Sequence, residues 1–205
     1  DWTYLEEGLR QRVKALNMFL WDIYHEKEII RDGVVPEEFV YCSKGYMPQC
    51  EGIDPMGRVY AHIAGIDLVE GKDGQWYVLE DNLRIPSGAS YPMIARKITR
   101  KVSPATFADN AVADNRDYAD MLRDMMDDMN QDRGISVILT PGRYNSAFFE
   151  HSYFAEKTGA TLAYPGDLFV EDDKVYYAGM YKEKIRVGSI YRRVSDEYMD
   201  PMMFE

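Results

Sequence analysis

The sequence lacks the features that mark several large classes of protein. None of its apolar runs approaches the roughly 20 residues of a membrane-spanning helix, and no secretory signal pattern opens it. Its two cysteines, Cys42 and Cys50, are too few for a disulfide scaffold, and no histidine or further cysteine stands beside them to make a zinc site. We therefore expect no membrane partner, and two reduced thiols in the cytoplasm.

Positive charge is also scarce. The 24 Lys and Arg residues are outnumbered by 35 Asp and Glu residues, which gives the 205-residue chain a formal net charge of −11. Such a surface repels nucleic acid, because nucleic-acid binding depends on basic side chains that neutralise phosphates. Neither a Gly-x-Gly-x-x-Gly fingerprint nor a P-loop Gly-Lys-Ser/Thr motif is present, so a Rossmann dehydrogenase or a P-loop kinase is unsupported.

The most informative stretch runs from Gly65 to Tyr91, where two β-forming runs flank Asp73-Gly74. Asp-Gly between such runs predicts a hairpin with a two-residue turn, in which both turn positions need positive φ. The register that follows pairs Val69 with Val78, Asp67 with Glu80, and Gly65 with Asn82, with all these side chains on one face. The predicted hairpin therefore brings an acid from each strand together.

Two facing carboxylates, those of Asp67 and Glu80, repel each other unless one is protonated or a cation lies between them. Asn82 adds a neutral oxygen on the same face, and Gly65 leaves room beside it. Converging hard oxygen donors suit Mg²⁺, which completes its coordination with waters and substrate phosphates. The same pattern also fits an ordinary solvent-facing hairpin with surface acids, because exposed like charges are tolerated when salt screens them.

The residues after the second strand suit a polyphosphate. Arg84 lies two positions beyond Asn82, and the small residues of Pro86-Ser87-Gly88 follow. A guanidinium offers paired donors to phosphate oxygens, and a loop of small residues exposes backbone N–H groups. This arrangement favours the metal interpretation over the solvent-facing hairpin.

Residues Glu80 to Tyr91, with the sequence Glu-Asp-Asn-Leu-Arg-Ile-Pro-Ser-Gly-Ala-Ser-Tyr, resemble the metal-binding signature of the ATP-grasp ligases, in which an acid-x-Asn pair ends a strand. More narrowly, the chain resembles the circularly permuted ATP-grasp family related to glutathionylspermidine synthetase. Supporting matches are Gly8-Leu9-Arg10-Gln11-Arg12, Ala15-Leu16-Asn17, the segment from Thr140 to Ser146, and Tyr191-Arg192-Arg193-Val194. The resemblance covers nearly the whole chain.

The resemblance implies an α/β fold, in which part of a circularly permuted ATP-grasp fold is followed by a Rossmann-like pre-ATP-grasp domain. Residues 1–102 would form the N-terminal helix and the metal-binding hairpin, 103–133 a connecting helical segment, and 134–205 the Rossmann-like domain. In the family, other ATP-contacting elements come later in the permuted order. Because the chain starts without Met and stops just after a strand candidate, we expect a fragment that is inactive on its own.

The activity implied by the resemblance is ATP- and Mg²⁺-dependent ligation of a carboxylate to an amine. A substrate carboxylate would attack the γ-phosphate of ATP, and an amine would then displace phosphate from the acyl-phosphate to leave a peptide-like amide. The implied roles are metal ligation by Asp67, Glu80 and Asn82, catalysis by Arg84, and substrate binding by Ser87 and Gly88. The partners would be small-molecule or peptide acids and amines.

One position departs from the family pattern. Glutathionylspermidine synthetase carries an arginine two positions before the first metal-binding acid, where this chain has Gly65. The role of that arginine would fall to Arg84 or to an arginine outside this chain. A second interpretation also stays open, in which the chain is a degenerate, non-catalytic ATP-grasp domain that binds nucleotide or a peptide, or serves as a scaffold.

A strand–turn–helix–strand pattern over residues 134–164 predicts a βαβ unit. Asn145 and Ser146 stand where its first strand meets the helix, so they either bind substrate or simply cap that helix. Arg192 and Arg193 would present one inward and one outward cation from a later strand, and one of them could bind a substrate carboxylate.

Two helical patterns complete the prediction. An apolar stripe predicts one long helix over residues 4–31. The stretch from Tyr91 to Val102 holds the only dense basic cluster of the sequence, formed by Arg96, Lys97, Arg100 and Lys101. These cations either interact with the dipole of their own helix end or face a phosphate.

Overall fold

The structure is a computed structural model that describes residues 2–131, 133–181, 183–195 and 198–199. The chain divides into two compact units, Asp1–Pro86 and Ser87–Glu205. Both units contain helices and strands, so the predicted α/β fold class is confirmed. The finer division at residues 102 and 133 stays a prediction. Among the described helices, none has both the length and the apolar composition needed to cross a bilayer.

The first unit begins with helices and ends with a hairpin. Its elements are α1 (Trp2–Tyr24), α2 (Glu28–Arg31), α3 (Glu37–Tyr41), the strands β1 (Gly65–Glu70) and β2 (Trp76–Asn82), and single 3₁₀ turns at Pro48–Cys50 and Met56–Arg58. Ile23, Tyr24 and Val40 form its buried centre, against which Phe19, Ile29 and Tyr60 pack. The hydrophobic core of this unit therefore lies at the C-terminal end of α1.

The single helix predicted over residues 4–31 is wrong, because the chain breaks between α1 and α2. Lys27 adopts a left-handed conformation with φ of 56°, and its N–H donates to the carbonyl oxygen of Asp22 at 2.7 Å. The carboxylate of Asp22 then accepts the N–H groups of Glu28 and Ile29, each at 2.9 Å. Asp22, which lies near the C-terminal end of α1, thus caps a second helix, and the first helix does not continue.

The hairpin also reverses differently from the prediction, through a loop of three residues instead of two. The N–H of Gly71 donates to the carbonyl of Gln75 at 2.7 Å, and the N–H of Gly74 donates to the carbonyl of Gly71 at 2.9 Å. Gly74 has a φ of 73°, whereas Asp73 has no positive φ. The carboxylate of Asp73 instead accepts hydrogen bonds from the N–H of Gln75 and the hydroxyl of Tyr77, and these bonds stabilise the wider turn.

The second unit combines helices with a five-stranded sheet. Its elements are α4 (Ser90–Val102), α5 (Pro104–Asp109), α6 (Asp117–Met129), β3 (Ile135–Leu139), α7 (Phe148–Thr158), β4 (Thr161–Ala163), a 3₁₀ turn at Pro165–Asp167, β5 (Leu168–Glu171), β6 (Lys174–Ala178) and β7 (Lys184–Arg192). The strand order is β4-β3-β7-β6-β5. β3 runs parallel to β4 and β7, while β5, β6 and β7 pair antiparallel. The predicted βαβ unit is confirmed by β3, α7 and β4.

The parallel part of the sheet is covered on both faces. Val137 and Ile138 are neighbours on β3, so their side chains point to opposite faces, yet neither has exposed area. A parallel strand buried on both faces reads as a continuous apolar run, which is the pattern of Ile135 to Leu139. Packing against the sheet thus explains why this short segment forms a strand.

β3 lies at a topological switch point of the sheet, where the neighbouring strands on its two sides come from different connections of the chain. The chain leaves β3 through α7 to β4 on one side, and β7 lies on the other side. In open α/β sheets, ligands bind at such a point, beside the carboxyl ends of the strands. Thr140 and Arg193 are the first residues beyond the ends of β3 and β7. This edge of the sheet is therefore where the second unit places its candidate site.

Candidate metal centre and buried polar cluster

A β-bulge sets the register of the hairpin acids in the first unit. Near the turn, Val69 pairs with Tyr77, so the predicted pairing of Val69 with Val78 is wrong. The register then shifts by one residue between Asp67 and Leu68. Beyond the shift, Asp67 pairs with Glu80 and Gly65 pairs with Asn82, which confirms both predicted pairings. The three-residue turn moves the register by one position, and the bulge moves it back.

The predicted metal ligands lie on one face of this hairpin. The side chains of Asp67, Glu80 and Asn82 are all exposed, and the amide nitrogen of Asn82 donates to Oε1 of Glu80 at 3.1 Å. Two carboxylates and an amide oxygen are a donor set that suits Mg²⁺, with waters and phosphate oxygens as its remaining ligands. No group of three or more His, Cys, Asp or Glu side chains in the described residues could hold a metal, so this set depends on the amide.

Gly65 lies beside this face because a side chain would not fit there. A Cβ at this position would lie 2.7 Å from Cβ of Pro86 and 3.5 Å from Cβ of Asn82. The first distance is shorter than a carbon–carbon contact allows. An arginine, which glutathionylspermidine synthetase carries here, would require Pro86 to move. Gly65 is therefore the residue that fits beside Pro86 in this structure.

The opposite face of β2 is tied to the first helix. Nε of Arg12 donates to Oδ1 of Asp81 at 2.8 Å, and NH2 donates to Oδ2 at 2.6 Å. The paired hydrogen bonds from Arg12 lower the pKa of Asp81, so that its carboxylate stays charged beside α1. Because side chains alternate along β2, Asp81 points away from Glu80 and Asn82. The ion pair anchors the hairpin while its other face stays exposed.

Arg84, the predicted catalytic residue, lies in the bend that follows β2, and its side chain is exposed. It stands two residues beyond Asn82 in the same unit. Ser87 and Gly88, predicted to bind substrate, belong to the second unit. Ser87 is exposed, but the N–H of Gly88 donates to Oε2 of Glu150 at 2.8 Å. That N–H is therefore already satisfied within the protein, and the predicted roles of these residues stay predictions.

Glu150 is the centre of a buried polar cluster in the second unit. Only 4% of its surface is exposed. Its Oε2 accepts the N–H of Ser90 at 2.9 Å in addition to that of Gly88, and its Oε1 lies 3.8 Å from NH2 of Arg193. Within the described residues, the buried hydroxyl of Ser90 has no hydrogen-bond partner. One carboxylate thus holds the loop that precedes α4 against the end of β7.

The two arginines at the end of β7 differ in burial. Arg192 is half-buried on the strand and pairs with Leu139, whereas Arg193 is 5% exposed. The backbone N–H of Arg193 donates to the carbonyl of Leu139 at 2.8 Å, and its NH1 donates to the hydroxyl of Tyr191 at 3.0 Å. Arg193 is thus the inward cation of the pair. Whether either arginine binds a substrate carboxylate stays a prediction.

A neutral histidine completes the cluster. Nδ1 of His151 lies 2.8 Å from Oγ1 of Thr140, and that hydroxyl oxygen accepts the N–H of Gly142 at 3.1 Å. Burial, followed by the positive charge of Arg193, lowers the pKa of His151 to about 4. Burial also raises the pKa of Tyr118 to about 12. His151 and Tyr118 are therefore both uncharged near neutral pH.

Asn145 and Ser146 lie in the loop between β3 and α7, and both are exposed. Oδ1 of Asn145 accepts the N–H of Ala147 at 2.9 Å, one residue before α7 begins. This contact closes a local turn before the helix, whose N-cap is Ala147 and has no side-chain capping bond, so the predicted capping of α7 by Asn145 or Ser146 is wrong. The substrate-binding alternative for both residues stays a prediction.

Sequence reasoning missed Glu150, His151 and Ser90. A signal for Glu150 was present, because it stands four residues before Phe154 and so lies on the same helix face. Phe154 is 2% exposed, which places the acid in the buried stripe of α7. A carboxylate at such a position needs partners, and those partners come from distant parts of the chain. The helical spacing alone could have indicated the burial, but it could not have named the partners.

Comparison with known proteins agrees with this architecture. A profile of the family described as a circularly permuted ATPgrasp matches residues 1–205. An uncharacterized protein of Mycobacterium tuberculosis is 44% identical over 207 residues, which cover 100% of this chain and 37% of that protein. An uncharacterized protein of Synechocystis sp. is 40% identical over 209 residues, which cover 100% of this chain and 43% of that protein.

A third relative carries a functional name. A protein of Frankia casuarinae, provisionally named glutamate–cysteine ligase 2-2, is 38% identical over 202 residues, which cover 96% of this chain and 23% of that protein. The chain therefore spans less than half the length of each of these relatives. Since the family profile matches the whole chain, the chain belongs to the circularly permuted ATP-grasp family.

Proposed function

We propose that this chain supplies the metal- and substrate-binding part of an ATP- and Mg²⁺-dependent carboxylate–amine ligase. The observation that carries the proposal is the pairing of Asp67 with Glu80, with Asn82 bonded to Glu80 on the same face. Membership of the ATP-grasp family and the ligase name of the Frankia relative support it. A substrate carboxylate would attack the γ-phosphate of ATP, and an amine would displace phosphate to give a peptide-like amide.

The hairpin residues would position and neutralise the phosphates. Asp67, Glu80 and Asn82 would hold Mg²⁺, whose charge offsets that of the phosphate oxygens. Arg84, just beyond β2, would donate to the transferring phosphoryl group. No protein nucleophile is required, since phosphoryl transfer depends chiefly on positioning and charge stabilisation.

The second unit would bind the acid and the amine, which are small molecules or peptides. Support comes from the switch point of the sheet, where Arg193 lies beyond β7 and the loop with Asn145 and Ser146 follows β3. Arg192 or Arg193 would pair with a substrate carboxylate. The overall charge of −11 disfavours a nucleic-acid substrate.

Isothermal titration of the full-length protein with ATP tests this proposal. We expect Mg²⁺ to strengthen ATP binding, and Glu80→Gln to abolish that effect. Glu70→Gln removes the same charge from an exposed acid of the same hairpin and should leave binding unchanged. Phosphate release on addition of an acid and an amine would establish ligation. Equal ATP binding in Mg²⁺ and in EDTA would overturn the metal assignment.

A second candidate function is a non-catalytic module that binds nucleotide or a peptide. The observation in its favour is that the N–H of Gly88, a proposed substrate donor, is already bonded to Glu150. A nucleotide-binding module would bind ATP in the titration but release no phosphate with any pair of acid and amine, whereas a peptide-binding module would bind no ATP.

A further inference from the structure

A basic cavity lies among α4, α6 and α7 in the second unit. Its volume is about 670 Å³, which is within the usual range for small-molecule sites. Six of its lining side chains are cationic: Arg96, Lys97, Arg100, Lys101, Arg116 and Lys157. Among the described residues of the lining, Asp120 is the single acid. This cavity concentrates positive charge in a chain whose net charge is −11.

The excess of positive charge persists after the acids that line the cavity or pair with its cations are included. Asp114 pairs with Arg116, and Glu156 pairs with Lys157 at 2.8 Å. With Asp120, three acids stand against six cations, which leaves three positive charges. Such an excess favours a multivalent anion, because a single charge would not neutralise it.

Helix dipoles do not account for this excess. Arg100 and Lys101 lie in the last turn of α4, and Lys157 lies in the last turn of α7. A helix carboxyl end carries about half a negative charge, so two ends offset about one positive charge. The first turn of α6 also lines the cavity and contributes about half a positive charge. The dipole interpretation of the basic cluster therefore explains only part of it.

One of the six cations has a structural role. Nε of Arg96 donates to the carbonyl of Ala113 at 3.0 Å, and NH2 donates to that of Val112 at 3.2 Å. Its guanidinium also lies over the ring of Phe107. Lys97, by contrast, is exposed on the cavity side of α4. The cations available to a ligand are therefore chiefly Lys97, Arg100 and Lys101 of α4, together with Lys157 of α7.

The lining of the cavity also includes the side chain of Asn115 and apolar surface. Oδ1 of Asn115 is buried and has no hydrogen-bond partner among the described residues. Met93 and Ala119 are buried, and Tyr153 also lines the cavity. A lining that combines cationic and apolar side chains suits a phosphorylated organic molecule.

We propose that the cavity among α4, α6 and α7 binds a multivalent, phosphate-bearing small molecule. Lys97 lies seven residues after Ser90, which is roughly 10 Å along α4 at about 1.5 Å per residue. The cations of α4 that are available to a ligand thus lie at least this far along the helix from the cluster around Glu150, which holds the start of the same helix. The proposed site is formed entirely by residues of the second unit.

Titration of the full-length protein with tripolyphosphate in EDTA tests this site without the proposed metal. We expect saturable binding that weakens about tenfold in the double variant Lys97→Gln with Arg100→Gln, since two charged donors are lost. The matched control is Lys44→Gln with Lys174→Gln, which removes the same charge from exposed positions outside the cavity. The control should bind like the unaltered protein. Absent binding, or an equal loss in both double variants, would overturn the proposal.

A footprint on the unaltered protein locates the ligand independently of any substitution. Lysine acetylation, read by mass spectrometry, should slow at Lys97, Lys101 and Lys157 when tripolyphosphate is added. Lys44 and Lys174 should react at unchanged rates. Uniform protection of all five lysines, or protection of none, would show that no ligand occupies the cavity.

Discussion

The carboxylate of Glu150 accepts the backbone N–H of Gly88 at 2.8 Å, although 62 positions separate the two residues. The same oxygen accepts the N–H of Ser90, and the other faces the guanidinium of Arg193. One buried acid thus joins the loop before α4, the start of α7 and the end of β7. The loop that carries proposed substrate-binding residues is therefore held by an internal contact at the switch point of the sheet.

Glu150→Ala should destabilise the protein by roughly 3–5 kcal/mol, because it removes the acceptor of two N–H groups and the buried carboxylate that faces Arg193. Chemical denaturation measures the loss. Glu156→Ala, on the exposed face of the same helix, should change the unfolding free energy by only about 0.5 kcal/mol. If the two variants lose equal stability, the cluster is not held together by Glu150.

Stability should fall in mild acid because His151 must become charged in a buried site. Its pKa is lowered from 6.5 to about 4, so the folded state binds fewer protons than the unfolded state between these values. The contribution of neutral His151 to the free energy of unfolding is fully present above pH 6.5, and it is lost as the pH falls to about 4. Its size is roughly 3 kcal/mol, at about 1.4 kcal/mol per pKa unit.

Unfolding free energies of the unaltered protein and of His151→Gln, measured across that pH range, isolate this effect. Gln can still bond to the hydroxyl of Thr140 but does not titrate, so its profile should be flatter. An unchanged slope in the variant would assign the acid sensitivity to other groups.

Asp67→Asn should have effects of opposite sign with and without Mg²⁺. In EDTA it relieves the repulsion between two facing carboxylates, so the hairpin should gain about 0.2–1 kcal/mol. In Mg²⁺ the unaltered protein should gain stability from metal binding, and the variant should lose that gain. Thermal unfolding in both buffers measures the two effects. A variant that is stabilised by Mg²⁺ as much as the unaltered protein would show that Asp67 is not a ligand.

Gly65→Ala should destabilise the first unit by about 1–3 kcal/mol, because the new methyl group would lie 2.7 Å from Cβ of Pro86. Gly8→Ala is the control, since nothing lies within 4 Å of a Cβ at that position of α1, and it should stabilise by about 0.5–1 kcal/mol. Pro86→Gly, combined with Gly65→Ala, should restore part of the loss. Unfolding by urea distinguishes these outcomes, and a neutral Gly65→Ala would contradict the steric explanation.

The amino-acid sequence alone determined the class of the fold and the pairing that defines the candidate metal centre. Alternation along two β-forming runs placed Asp67 opposite Glu80, and the apolar run of β3 followed by a helical stripe specified the βαβ unit. These features are local, because side-chain spacing and strand propensity depend on neighbouring residues. The pairing survived a wrong turn prediction only because the bulge beside Asp67 compensated for the third turn residue.

Only the tertiary structure decided the rest. Asp22 ends a helix that the apolar stripe would continue, and Glu150 selects its partners from segments about 40 to 60 positions away. The basic side chains of α4 become a cavity only when α6 and α7 pack beside them. Contacts of this kind form between buried polar groups that are distant in sequence and meet only in the folded chain. The spacing of residues along one segment therefore does not predict which groups will pair.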